Sequence, residues 1–179
     1  RWGVFEETVK GPKEGNPFTE QVVTGEFTSE NESVKVSGFY DGEGIYRIRF
    51  MPSYEGKYDY IIHTSFTDED ICGSFEVGPA EENSHGPVRV KDKYHFAYAD
   101  GTPYISIGTT CYVWELQDEK TKRETLETLK NSSFNKIRFC IFPKHYVYNF
   151  KDPACFPYVG TPMDCSVLNE DNFMNYMGK

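Results

Sequence analysis

No run of apolar residues in this 179-residue chain approaches the ~20 needed to cross a bilayer as a helix, which excludes a helical membrane span. Positive charge is also scarce. Nineteen Lys and Arg stand against 28 Asp and Glu, a formal net charge of -9. A phosphate backbone would be repelled unless a local basic stripe overcame that field. The densest basic piece, Lys120, Lys122 and Arg123, is diluted by Glu119 and Glu124, so no nucleic-acid partner is expected. Cysteine is sparse and odd in number: Cys72, Cys111, Cys140, Cys155 and Cys165 cannot all close into disulfides. No C-x-x-C spacing suggests zinc, and His63, His85 and His95 have no metal-ligand spacing. No G-x-S-x-G elbow occurs, and Gly42-x-Gly44 has no helix after it, so it reads as a turn and not a phosphate loop. No signal peptide is visible, which leaves the compartment open. The chain starts at Arg1 without Met and stops in an apparent helix at Lys179, so it reads as a piece of something longer.

What is abundant is aromatic. Thirteen Tyr, fourteen Phe and two Trp make up 16% of the chain. A β-rich core explains such an excess, because rings fit pleated, half-buried surfaces. A sugar-binding surface explains it too, since ring faces stack on the apolar faces of sugars. Composition favours the core. Cys111 and Cys140 sit in apolar, strand-like contexts and read as small buried hydrophobes. Cys155 and Cys165 share one loop and could pair in an oxidising compartment. Asn31-Glu32-Ser33 and Asn131-Ser132-Ser133 match the glycosylation triplet, a pattern that arises often by chance.

Residues 1 to about 78 read as about six short strands with turn punctuation and no helical pattern. Trp2–Val9, Val22–Phe27 and Ser33–Tyr40 come first, then Asp41-Gly42-Glu43-Gly44, a hairpin-type turn. In Ile45–Phe50 the period is two, with Tyr46, Ile48 and Phe50 on one face and Arg47 and Arg49 on the other. Tyr58 to Phe66 alternates likewise, and a last strand holds Phe75 and Val77. The expected architecture is an antiparallel β-sandwich, immunoglobulin-like in outline, over residues 1–80. Residues 79 to 86 are polar and break the pattern, which places a boundary there.

The grammar then changes. Tyr94–Tyr98, Asp100-Gly101 and Pro103–Ile107 read as strand, turn and strand. Thr121-Lys122-Arg123-Glu124 has the form of a capping box, followed by Leu126 and Leu129 as an apolar stripe. Asn135–Phe142 is a near-continuous apolar strand broken by Arg138, rich enough to be buried on both faces. Asn169 is placed to cap another helix. Residues 87–179 thus read as an incomplete α/β segment, the opening of a (β/α)8 barrel, which typically needs ~250 residues.

In such barrels the active site forms at the C-terminal ends of the strands. The first strand exit carries Thr109, Tyr112 and Trp114; the second carries Lys144, His145 and Tyr146. Rings for stacking and polar groups for hydroxyls are what a carbohydrate pocket needs, although Tyr112 and Trp114 could equally cover a barrel end. Arg138 is a charge in an apolar strand, and burial would require an acidic partner or a polar cleft. Lys136 shares its strand face by parity. Glu115, Asp118 and Glu119 look solvated, so no catalytic carboxylate pair is identifiable.

Several stretches resemble a known pair of domains. Gly38-Phe39-Tyr40-Asp41-Gly42, Tyr46-Arg47-Ile48-Arg49-Phe50-Met51-Pro52 and Gly56-Lys57-Tyr58 resemble the β-sandwich domain of unknown function that precedes certain bacterial glycoside hydrolase barrels. Phe96 to Tyr104, Gly108-Thr109-Thr110, Leu126-x-x-Leu129-Lys130, Phe134 to Arg138 and Phe142 to Tyr146 resemble the start of an apiosidase-like barrel. The resemblance implies the N-terminal part of a bacterial glycoside hydrolase, cytoplasmic or exported, using two carboxylates and no metal or organic cofactor. It implies that those carboxylates lie on later strands, beyond this chain, and that Arg138 supports the nucleophile. The partners implied are a carbohydrate substrate and the remainder of the barrel. The alternative is a non-catalytic carbohydrate- or surface-binding module.

Overall fold

The computed structural model describes residues 1–114, 117–140, 157–159 and 167–177. The chain folds as two units, Arg1–Tyr104 and Ile105–Lys179.

The first unit is built on two antiparallel sheets. A three-stranded sheet runs in the order β1 (Phe5–Lys10), β5 (Ile45–Phe50), β4 (Phe39–Tyr40). A four-stranded sheet runs β3 (Ser33–Ser37), β2 (Val23–Thr28), β6 (Gly56–Thr64), β7 (Ile71–Val77). Their inner faces share one apolar cluster, and the expected alternation decides who enters it. Tyr46, Ile48 and Phe50 on β5 are buried, with Arg47 and Arg49 outside. Phe27 on β2 stacks on Phe50 at 4.4 Å, and Phe5 on β1 stacks on Phe75 of β7 at 4.1 Å. Rings from both sheets therefore interdigitate. Full burial of a residue such as Phe27 is worth about 1.5–3 kcal/mol.

A buried tyrosine must satisfy its hydroxyl. Tyr58 donates to Glu32 Oε1 at 2.5 Å, Tyr60 to Glu7 Oε2 at 3.1 Å, and Tyr46 to the Pro12 carbonyl at 2.7 Å. Burial pushes all three phenols above their usual range. On the outer face Arg47 donates to both Asp41 and Glu6, and Arg49 donates to Glu6 at 2.6 Å. The two guanidinium groups hold the Glu6 carboxyl below its usual range. The Gly42-Glu43-Gly44 turn forms as expected, with positive φ at all three residues.

Two local expectations are corrected. Ser33–Tyr40 is not one strand: β3 pairs with β2 in one sheet, and β4 pairs with β5 in the other. The chain changes sheets at Gly38, where a Cβ would lie 2.7 Å from the Arg47 carbonyl oxygen. Only glycine lets the backbones come that close. The stretch expected to hold no helix also contains α1 (Pro17–Glu20), whose Pro17 presets the first turn.

After β7, strands β8 (Val88–Lys91) and β9 (His95–Tyr98) form an antiparallel hairpin. Sequence pattern pointed to β9 but not β8. The turn places Asp92 and Lys93 at φ 50 and 69. A second strand was expected over Pro103–Ile107. Only Pro103 bridges to Ala97, and proline has no N–H with which to extend the ladder.

In the second unit β10 (Gly108–Thr110) pairs in parallel with β11 (Lys136–Arg138), and α2 (Glu119–Lys130) connects them. This is the βαβ unit the pattern called for, with its helix starting one turn early. Asp118 is the cap: its carboxylate accepts from the Thr121 N–H at 3.0 Å and the Thr121 hydroxyl at 2.9 Å. Thr121 thus occupies the third helical position, because an aspartate one turn upstream is the stronger cap. Those hydrogen bonds hold the Asp118 carboxyl below its ordinary range. Asn169 caps α3 (Glu170–Met177) through the Asn172 N–H, as expected. Burial on both faces of β11 is not found. Ile137 is half-buried, while Lys136 and Arg138 are exposed. Among the described residues β11 has a single hydrogen-bonded neighbour, β10.

Two outcomes follow from this packing. Gly38→Val should cost about 3 kcal/mol, because neither backbone can withdraw from the added Cβ, and urea unfolding reads that loss. The Asp100 carboxyl is drawn from the ordinary 3.8 to about 2, first by the His85 ring 2.7 Å away and then by the Thr102 N–H. A lowered folded-state pKa stabilises above the unfolded value and is lost as pH falls through the folded one. The melting temperature of wild type should exceed that of Asp100→Asn at pH 5, and the gap should close between pH 3.8 and about 2.

Candidate functional site

The site is assembled where β10 and β11 run out. Asn135 clips the two approaches together. Its side-chain amide donates to the Ile105 carbonyl at 2.8 Å, its side-chain oxygen accepts from the Ile107 N–H at 3.0 Å, and its own N–H reaches the Ile107 carbonyl at 2.9 Å. Lys136 Nζ adds a bond to Ser106 Oγ at 2.7 Å. Past the strand ends the pairing continues. The Cys111 N–H donates to the Arg138 carbonyl at 2.8 Å and the Cys140 N–H to the Tyr112 carbonyl at 3.1 Å.

This parallel register brings Arg138 beside Tyr112. The guanidinium carbon lies 5.0 Å from the ring centroid, a cation–π contact worth about 0.5–1 kcal/mol at an exposed position. Burial of Arg138 would have required an acidic partner or a polar cleft, and the burial itself is not found. Arg138 is exposed, and among the described residues no carboxylate forms an ion pair with it. A short strand open on one side lets the guanidinium reach solvent, so no counterion is demanded.

The chain turns at Cys111–Trp114, closed by the Trp114 N–H on the Cys111 carbonyl at 3.1 Å. The indole packs edge-on against Phe139 at 5.6 Å, and its Nε1 donates to the Lys122 carbonyl at 3.3 Å. A shallow pocket of about 360 Å³ opens here, lined by Thr110, Cys111, Tyr112, Val113, Trp114, Gln117 and Thr125. Tyr112 and Trp114 thus share one concavity. Lys144, His145 and Tyr146, with Cys155 and Cys165, fall outside the described residues. Gln117 and Thr125 were not singled out from sequence. Gln117 is fixed by its donation to the Val113 carbonyl at 3.0 Å, a contact with no sequence signature.

Chemically the arrangement offers ring faces, one cation, an amide and hydroxyls. Among the described residues it offers no acid–base pair. Asp118 is spent on the helix cap, and Glu119 is solvated and paired with Lys122 at 3.1 Å. Cys111 and Cys140 are half-buried, where full enclosure was expected. Among the described residues no cluster of His, Cys, Asp or Glu is arranged to hold a metal, and no helix is long and apolar enough to cross a membrane.

Residues 1–65 match the model of DUF5060, a domain of unknown function. The chain is 36% identical to a solved protein from Bacteroides vulgatus ATCC 8482 described as a putative glycoside hydrolase. The TM-score is 0.84, over 99% of this chain and 37% of that one. The chain is similar to that protein over nearly its whole length. It spans little more than a third of the similar protein's length. No curated protein matches it.

Removing the clip tests how the site is held. Asn135→Ala should destabilise the second unit by about 2 kcal/mol, since two hydrogen bonds go and the Ile107 N–H loses its side-chain acceptor. Hydrogen exchange at the Ile107 amide should quicken correspondingly, with the sandwich amides unchanged.

Proposed function

We propose that the chain is the N-terminal portion of a glycoside hydrolase. Residues 1–80 form an accessory, immunoglobulin-like β-sandwich, and residues 87–179 open a (β/α)8 barrel of the apiosidase-like type. The observation that carries this reading is the 36% identity and 0.84 TM-score to a protein described as a putative glycoside hydrolase, across both units. Two structural facts support it. The parallel β10–α2–β11 unit is the repeating element of such a barrel. Of the described residues in the second unit only Pro157 is buried, while Ile105, Leu126, Phe134 and Phe139 are exposed. A unit with so little core of its own calls for further apolar surface to cover it.

In this reading Tyr112 and Trp114, joined by Lys144, His145 and Tyr146, form one wall of a carbohydrate site. The rings stack on sugar faces and the polar groups orient hydroxyls. The acid and nucleophile come from later strands. Glycosidic hydrolysis needs two carboxyl groups, about 5–5.5 Å apart for retention and roughly 6.5–9.5 Å for inversion. Arg138 is a positioning residue. Its cation favours the ionised form of a neighbouring nucleophile.

The isolated 179-residue chain should hydrolyse neither aryl glycosides nor plant polysaccharides, and the longer protein should. In the longer protein Arg138→Met should cut turnover by about 100-fold and move the acidic limb of the pH–rate profile upward. Activity from the isolated chain would overturn the assignment of roles. Glycan binding without hydrolysis by the longer protein would instead make it a binding module.

A further inference from the structure

The segment from Pro79 to Pro87 joins β7 to β8, and its Glu, Asn, Ser and Gly content is that of a flexible tether. The structure holds it at three points. Glu81 to Ser84 is a turn, closed by the Ser84 N–H on the Glu81 carbonyl at 2.9 Å, with Asn83 at φ 71. His85 is bonded twice to Asp100: its Nδ1 lies 2.7 Å from the carboxylate, and its carbonyl accepts the Asp100 N–H at 3.2 Å. Gly86, at φ 75, lies against the indole of Trp2. A Cβ there would come within 2.6 Å of Trp2 Cε2 and 2.9 Å of the Ala99 Cβ. Trp2 is itself fixed to the sandwich. Its N–H donates to the Pro52 carbonyl at 2.9 Å, and the Arg1 guanidinium covers its ring at 4.3 Å.

Trp2 holds φ 66, a costly region for a bulky side chain, so surrounding contacts must enforce it. A strained tryptophan, a left-handed asparagine turn and a left-handed glycine converge on one connection. The stretches that meet there, around residues 2, 52, 85 and 100, are far apart in sequence. Only a tertiary arrangement brings them together.

We infer that this segment is a rigid joint, in which Trp2 and the His85–Asp100 pair clamp Gly86 so that the sandwich carries the β8–β9 hairpin in one fixed orientation. The slot admits glycine alone, because any side chain would strike the indole or Ala99. The joint determines presentation. Val90, Tyr94 and Phe96 are exposed on the hairpin, Tyr94 by 87%. A clamp holds these groups at a set place, where a tether would spread them over many orientations.

NMR on the 179-residue chain tests it, using residual dipolar couplings and amide hydrogen exchange. In wild type the sandwich and the hairpin should share one alignment tensor, with the Asp100 amide protected. Gly86→Val and Trp2→Ala, the second adding no bulk, should each speed exchange at Asp100 by about tenfold or more and give the hairpin its own tensor. Sandwich amides should keep their protection in both. A hairpin that already tumbles independently in wild type overturns the inference. So does unaltered Asp100 protection in Trp2→Ala, whatever becomes of Gly86→Val.

Discussion

Everything in the first unit depends on aromatic rings reaching across from both sheets into one layer. Phe5 meets Phe75 and Phe27 meets Phe50, each pair drawn from opposite sheets. Neither sheet has another way to bury its inner face. The same choice of residue imposes a second demand. Tyrosines extend the apolar surface but bring hydroxyls, so Glu32, Glu7 and the Pro12 carbonyl stand where those hydroxyls emerge. The sheet switch at Gly38 serves the same layer, since it lets one stretch of chain supply residues to both sides.

The second unit is organised by a different physics. It has almost no enclosed core among its described residues, and directed hydrogen bonds set its geometry. Asn135 ties the entries of β10 and β11, Asp118 caps α2, and Trp114 is held by the Lys122 carbonyl and Phe139. Such bonds fix register and direction but bury little. The result is a preformed strand-end site with ring faces and a solvated cation and, among its described residues, no acid–base pair.

The connection between β7 and β8 is held by contacts that local composition does not show. Residues 79 to 86 are polar and break the strand pattern, which placed a boundary there. Their actual partners, Trp2 and Asp100, come from elsewhere in the chain. Arg138 is likewise decided by its surroundings. Its setting among apolar residues would have called for an acidic partner or a polar cleft if buried, but the strand is three residues long with Arg138 exposed, so the charge rests on Tyr112 in contact with solvent.

By itself the sequence determined what periodicity and local chemistry can carry. Alternation on β5 and β6 named the inward residues, Gly42 and Gly44 marked the turn, and the order of strand, helix and strand foretold the β10–α2–β11 unit with Tyr112 and Trp114 at its exit. These features are local, because side-chain parity, positive φ and capping are decided within a few residues. Tertiary structure alone decided which strands pair, that Ser33–Tyr40 divides between two sheets, that Asn135 bridges to Ile105 and Ile107, and that Trp2 closes over Gly86. Each of these joins residues distant in the chain, where the deciding quantity is the space left by a neighbour, and no local pattern encodes that space.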